Sequence, residues 1–234
     1  MNSAYCGPPP DAANWAASWN TDPVLLAILV VAAVATLRLP ASRRPAAFGA
    51  LAALVVAFVS PLCALTTALF SARAAHHLVL VAVAAPLLAR ALPLPRPRGI
   101  TAPFALATAT LWLWHVPALY DAALQDTLLY WAMQATLLAT AWAFWASAFA
   151  APPMFALAGI AASAGQMGLL GALLTFAPRP LYASHLTTTI PFGIGPLADQ
   201  QLAGLVMWVP GLLPYAVVAG LIAARHWRAA MQPA

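Results

Sequence analysis

Residues Pro153–Ala177 read PMFALAGIAASAGQMGLLGALLTFA, a stretch of 25 positions without one charge. A helix needs about 20 apolar residues to cross the hydrocarbon core of a bilayer. The run is far longer than a strand and shows no two-residue alternation. Similar runs lie at roughly 23–38, 46–70, 76–93, 102–120, 127–148 and 202–224. Lipid offers no partner to backbone N–H and C=O groups, so spanning segments must be helices or a closed barrel. A barrel would show alternating segments of about ten residues. The whole chain is 64% hydrophobic and only 6% charged, against about 25% charged residues in a typical soluble domain. The expected fold is therefore an all-α integral membrane protein, a bundle of seven transmembrane helices. Three regions follow: an N-terminal tail at 1–22, a membrane domain at 23–225 and a C-terminal tail at 226–234.

The arginines orient this bundle. Every basic residue of the Lys/Arg class is Arg. With seven spans, Arg38, Arg43, Arg44, Arg90, Arg96, Arg98, Arg225 and Arg228 fall on one side, and only Arg73 and Arg179 on the other. The positive-inside rule makes the richer side cytoplasmic. The N-terminus is then outside and the C-terminus cytoplasmic. Asp11, Asp22, Asp121, Asp126 and Asp199 all fall outside. The tail lacks a basic segment before the first apolar run, so it does not read as a signal peptide. The arginines are scattered through short loops and form no basic face, which argues against a nucleic-acid partner. The partner that is certain to matter is the lipid bilayer.

Polar side chains at membrane depth are costly and mark candidate sites. His76, His77, His115 and His185 all fall near the outer side, while His226 falls on the cytoplasmic side beside Trp227 and Arg228. Cys63, Met133, Met207 and Asp199 lie at similar depth to the outer histidines. Imidazole, thiolate and thioether donors suit soft or borderline metals, Cu(I) above all. The alternative for any one of them is a buried, hydrogen-bonded histidine or an interfacial one. Cys63 reads most simply as a small buried hydrophobe, since two cysteines make no disulfide scaffold. Asp199, Ala203 and Met207 share a helix face, and Asp199 in a first turn also suits the helix dipole. Arg73 precedes His76 and His77 by one turn, and an outer cation there is expected to pair with Asp199 or Asp121.

No Gly-rich phosphate loop, G-x-S-x-G or H-E-x-x-H motif is present, so no enzyme class is suggested. A retinal Schiff base needs a lysine amine, and the chain has no Lys. A small-molecule transporter is a weak third reading, for want of paired repeats or mid-membrane charge.

Several strings resemble the multi-span cytochrome c oxidase assembly factor family CtaG. They are Ser60-Pro61-Leu62, Phe70-Ser71-Ala72-Arg73 with His76-His77, Ala85-Pro86-Leu87-Leu88, Trp114-His115-Val116-Pro117-Ala118-Leu119-Tyr120-Asp121, and Asp199-Gln200-Gln201-Leu202-Ala203-Gly204 running into Met207-Trp208-Val209-Pro210. The resemblance implies a non-enzymatic factor in the bacterial cytoplasmic (inner) membrane. Its partner would be the catalytic subunit of a haem-copper oxidase and its cargo copper. Family members often carry H-M-x-x-H entering the third span; His77 stands at its second histidine and Arg73 at its first. A fifth-span histidine corresponds to Gln134. The expected metal site is His77 with His115, and His76, Met207 or Cys63 as further ligands. Arg73, Asp121, Asp199, Gln200 and His185 are expected as supporting polar groups. The alternative to copper is haem, held by two outer histidines.

Overall fold

The structure is a computed structural model that describes residues 4–94 and 99–231. Arg96 and Arg98, counted above on the cytoplasmic side, lie outside the described residues. Among the described residues every regular element is helical. The helices are α1 (Pro23–Thr36), α2 (Arg44–Phe58), α3 (Leu62–Ala68), α4 (Phe70–Leu78), α5 (Ala85–Ala91), α6 (Thr101–Leu113), α7 (Pro117–Gln125), α8 (Thr127–Ala150), α9 (Pro153–Phe176), α10 (Pro196–Trp208) and α11 (Leu212–Met231). A π-helical stretch, Val79–Ala84, joins α4 to α5 without a break.

Among the described residues, three helices are long and apolar enough to cross a membrane: Phe70–Ala91, Pro153–Phe176 and Pro196–Met231. Two bent pairs raise the number to five if each is one span. These are α2 with α3, bent by 45°, and α6 with α7, bent by 76°. The expected count of seven is thus not reached by length and composition. The first expected span forms only the 14 residues of α1, about 21 Å at 1.5 Å per residue. α8 is long enough at 24 residues, but Gln134, Thr136, Thr140 and Ser147 dilute its apolar character. It is also the central helix, with Tyr130, Met133, Leu137, Phe144 and Trp145 almost fully buried.

Proline sets where the helices break. Pro61 and Pro117 cannot donate to a preceding turn, and the chain bends just before each. At the first break, the tail residue Asn20 satisfies the orphaned end of α2. Its backbone N–H donates to Val59 O at 2.9 Å and its Nδ2 to Phe58 O at 3.0 Å. Asp22 then caps α1 by accepting from Val24 N at 2.8 Å, with Pro23 in the first turn. Asp126 closes the α7–α8 turn by accepting from Leu129 N at 2.8 Å.

The tail is stapled to the bundle. Cys6 and Cys63 form a disulfide, which corrects the reading of Cys63 as a lone buried hydrophobe. Tyr5 stacks on Tyr130 with ring centroids 5.0 Å apart and meets Trp131 edge-on.

α9 and α10 pack backbone to backbone at Gly171 and Gly204. A Cβ on Gly171 would lie 2.8 Å from Gly204 O, and one on Gly204 would collide with Gly171 O and the Thr175 hydroxyl. Small residues let spanning helices approach this closely. Gly204→Ala should therefore force the pair apart and lower stability by roughly 1–3 kcal/mol, read as a lower thermal midpoint in detergent. An unchanged midpoint would mean that the contact is not tight.

Candidate functional site

The broken ends of α3, α4, α6 and α10 meet at one end of the bundle, together with the N-terminal tail and the 177–195 connection. Arg90, Arg225 and His226 line a pocket at the opposite end, where Arg90 lies 4.8 Å over the Phe149 ring. The remaining histidines are thus separated from this arginine-rich end.

α4 carries the central residues. Its first N–H groups have no partner within the helix. Asp199, in the first turn of α10, supplies one: its carboxylate accepts from Phe70 N at 2.6 Å, from Ser71 N at 3.3 Å and from the Ser71 hydroxyl. Asp199 thus caps another helix. This arrangement fixes the rotation of α4 and so the placement of Arg73, His76 and His77, which lie within two turns of the cap.

His77 and His115 come together, with ring centroids 6.0 Å apart. His76 lies 5.8 Å from His77 and packs edge-on against Phe58 at 5.2 Å. His115 sits in the break between α6 and α7. Its own backbone N–H turns to Trp112 O at 3.1 Å, which leaves the Leu111 carbonyl free. The His115 ring fills the gap, with Nδ1 at 2.7 Å from Leu111 O. A carbonyl only accepts, so Nδ1 carries the hydrogen and Nε2 keeps its lone pair. A partner that fixes the tautomer in this way is typical of metal-binding histidines. All four ring nitrogens of His76 and His77 are buried without a hydrogen bond.

Arg73 is 1% exposed and forms no ion pair among the described residues. This corrects the expected pairing with Asp199 or Asp121. Asp199 is committed to α4, and Asp121 accepts from Ala183 N and Ser184 N, both at 3.1 Å. The guanidinium instead lies 5.4 Å over the Tyr130 ring, and Nη2 donates a long bond of 3.4 Å to Thr66 O. Each acid serves a helix end because unsatisfied backbone at membrane depth is itself costly.

The 177–195 connection closes over these groups. Gln200 accepts from Leu181 N at 2.7 Å through Oε1 and donates from Nε2 to Leu174 O and Arg179 O. Tyr182 stacks on Phe70 at 4.0 Å and donates to His115 O at 3.0 Å. His185 faces the Ala68 carbonyl with Nδ1 at 3.3 Å and accepts from the Tyr120 hydroxyl at 2.7 Å through Nε2. Both of its nitrogens are occupied, so it holds the loop. Met207 is buried on α10, the helix that packs on α4. The sulfur of Cys63 is bound to Cys6 and is not a free thiolate. No cluster of three or more His, Cys, Asp or Glu side chains in metal-binding geometry occurs among the described residues; the arrangement at hand is the pair His77 and His115.

Sequence reasoning gave no role in the site to Cys6, Tyr130 or Tyr182. The pairing of Cys6 with Cys63 had a signal, because the chain holds two cysteines and the expected topology puts both at one end of the bundle. The tyrosines had none, since an aromatic belt explains them equally well.

Burial, and then the Arg73 charge, pull the His185 pKa from 6.5 down to about 4. The unfolded chain protonates this side chain near pH 6.5, while the folded chain keeps it neutral. Its contribution is full above pH 6.5 and is lost as pH falls towards 4, by up to about 3 kcal/mol. His185→Gln should therefore show a shallower loss of thermal stability between pH 7 and pH 4 than the unaltered chain. Parallel profiles would remove His185 from this role.

The chain matches the family described as cytochrome c oxidase caa3 assembly factor, Caa3_CtaG, over residues 24–229. No curated protein and no solved structure matches it. The W-H-x-P break and the D-Q-Q turn that build the site both lie inside the matched region, which covers nearly the whole chain, and the chain belongs to the cytochrome c oxidase caa3 assembly factor family.

Proposed function

We propose that this protein binds Cu(I) between His77 and His115 and passes it to the catalytic subunit of a caa3-type oxidase. The observation that carries this reading is the 6.0 Å separation of the two rings. Two metal–nitrogen bonds of about 2 Å, plus the ring radius on each side, add to about 6 Å. Copper is the cargo here, so a site of two ligands suits release better than a closed set of four. His76 and Met207 stand near enough by element to serve as transient ligands during transfer. A role in assembly needs no catalytic group, and the absence of enzyme motifs is consistent with that.

The proposed orientation puts the histidine end outside the bacterial cytoplasmic membrane, with seven crossings. Support comes from the arginines, because Arg38, Arg43, Arg44, Arg90, Arg225 and Arg228 all belong to the other end. Copper for an oxidase centre would then be met on the outer side. Reporter fusions after Arg44 and Arg228 should read cytoplasmic, and fusions after Asp126 and within 178–198 extracytoplasmic. A cytoplasmic reading for 178–198 would turn the site to the wrong side and end this proposal.

Metal analysis of the detergent-purified protein tests the site itself. His77→Ala and His115→Ala should each lower copper affinity at least tenfold, the scale of losing even a supporting group, while the protein stays folded and inserted. His226→Ala, at the opposite end, should leave copper unchanged. Wild-type copper in both site variants would refute the site, and a Soret-absorbing preparation would favour haem instead.

A further inference from the structure

Arg90 and Arg225 are far apart in the chain, yet both line one cavity of about 480 Å³ at the arginine-rich end. Arg90 lies in the last turn of α5 and Arg225 on the C-terminal half of α11. Between them stand the end of α8, the α8–α9 turn and the start of α9. Those walls are apolar, made of alanines with Pro93, Phe149, Pro153 and Ile222. His226 adds one more polar side chain, with a ring N–H to donate. α5 ends at Ala91, α8 ends at Ala150 and α9 begins at Pro153, so the cavity sits where the chain turns between helices.

Two permanent positive charges meet here without a carboxylate. The five acidic residues of the chain are Asp11, Asp22, Asp121, Asp126 and Asp199, and all belong to the histidine end. Asp126 caps the start of α8, about 35 Å along that helix from Phe149. Arg90 places its guanidinium over the Phe149 ring at 4.8 Å. Stacking uses the face of the group and leaves its in-plane N–H donors for a ligand. A cation in the last turn of α5 also suits the helix dipole, and arginines at this end suit the positive-inside rule. Neither reason accounts for Arg225, which stands more than a turn before the end of α11 and shares the cavity with Arg90.

We propose that this cavity binds the phosphodiester headgroup of an anionic phospholipid, with Arg90 and Arg225 donating to its phosphate oxygens. The planar fork of a guanidinium matches a phosphate in geometry as well as charge. Basic pockets between spanning helices suit acidic lipid headgroups, and the volume falls within the range of small-ligand sites. What adjoins the arginines favours a lipid over a soluble phosphate. Val217 and Leu221 precede Arg225 by two turns and one turn on the same face of α11, and they are 60% and 48% exposed. They give an acyl chain an apolar track leading away from the headgroup. The site needs only that this end of the bundle meets a bilayer surface, and it is independent of copper at the other end.

The test uses the full chain in detergent, titrated with phosphatidylglycerol, with phosphatidylcholine or with inorganic phosphate. Phosphatidylcholine carries the same phosphodiester, neutralised by its own choline cation. The thermal midpoint should rise saturably with phosphatidylglycerol, as for a ligand bound by the folded state alone, and much less with the other two. Arg90→Gln and Arg225→Gln should each weaken phosphatidylglycerol about fivefold, the scale of one arginine at a charged membrane surface. Arg43→Gln and Arg228→Gln, which remove arginines of the same end from outside the cavity, should leave the constant unchanged. Should Arg90→Gln fail to fold for want of its stacking on Phe149, Arg225→Gln carries the test. No rise with phosphatidylglycerol, or an equal rise with phosphatidylcholine, would overturn the proposal. So would an equal loss in Arg228→Gln, which would mean general surface charge, or an equal rise with inorganic phosphate, which would make the ligand a soluble anion.

Discussion

Backbone groups freed at a helix break must find partners inside the protein, because lipid supplies none. This constraint organises the whole histidine end. α2 ends against Pro61 and hands its last carbonyls to Asn20. α3 ends at Ala68, whose carbonyl takes His185 and Thr188. α4 begins unpartnered and takes Asp199. α6 ends early, and the His115 ring takes the Leu111 carbonyl. Each polar side chain that looks functional in the sequence has first been assigned a backbone duty. What remains with buried polar atoms unpartnered stands out: His76, His77, Gln134 and part of the Arg73 guanidinium.

The breaks are also what makes a site possible. An unbroken α6 would continue its hydrogen bonding through His115 and leave Leu111 O nothing to give the ring. The turn at Trp114–Val116, held to α8 by Trp114 Nε1 donating to Thr136 at 2.9 Å, swings His115 into the bundle. An uncapped α4 could slide or rotate against α10, and the His77 ring would lose its facing. Asp199 prevents that, and the close glycine contact of α9 with α10 holds Asp199 itself in place.

The expectation that Arg73 pairs with an aspartate rested on charge alone. A carboxylate at membrane depth, however, can accept several N–H bonds at one helix end and satisfy more orphaned groups there than by meeting a single guanidinium. The cation is left to the Tyr130 ring, the Tyr120 and Tyr130 hydroxyls and one distant carbonyl. The disulfide was missed for a related reason. Cys6 and Cys63 lie 57 positions apart, and nothing in the spacing brings the tail back over α3.

The sequence by itself determined the class of fold, the segregation of arginines to one end and the family, because apolar length, loop charge and short strings such as W-H-x-P are local properties. It also marked His77, His115 and Asp199 as residues of interest, since polar groups in apolar runs are rare enough to read singly. It could not determine where single spans break into two helices, which acid serves which backbone, or that Cys6 meets Cys63. Those depend on the rotation and depth of each helix against its neighbours, which packing sets across large separations in the chain, and only the tertiary structure decided them.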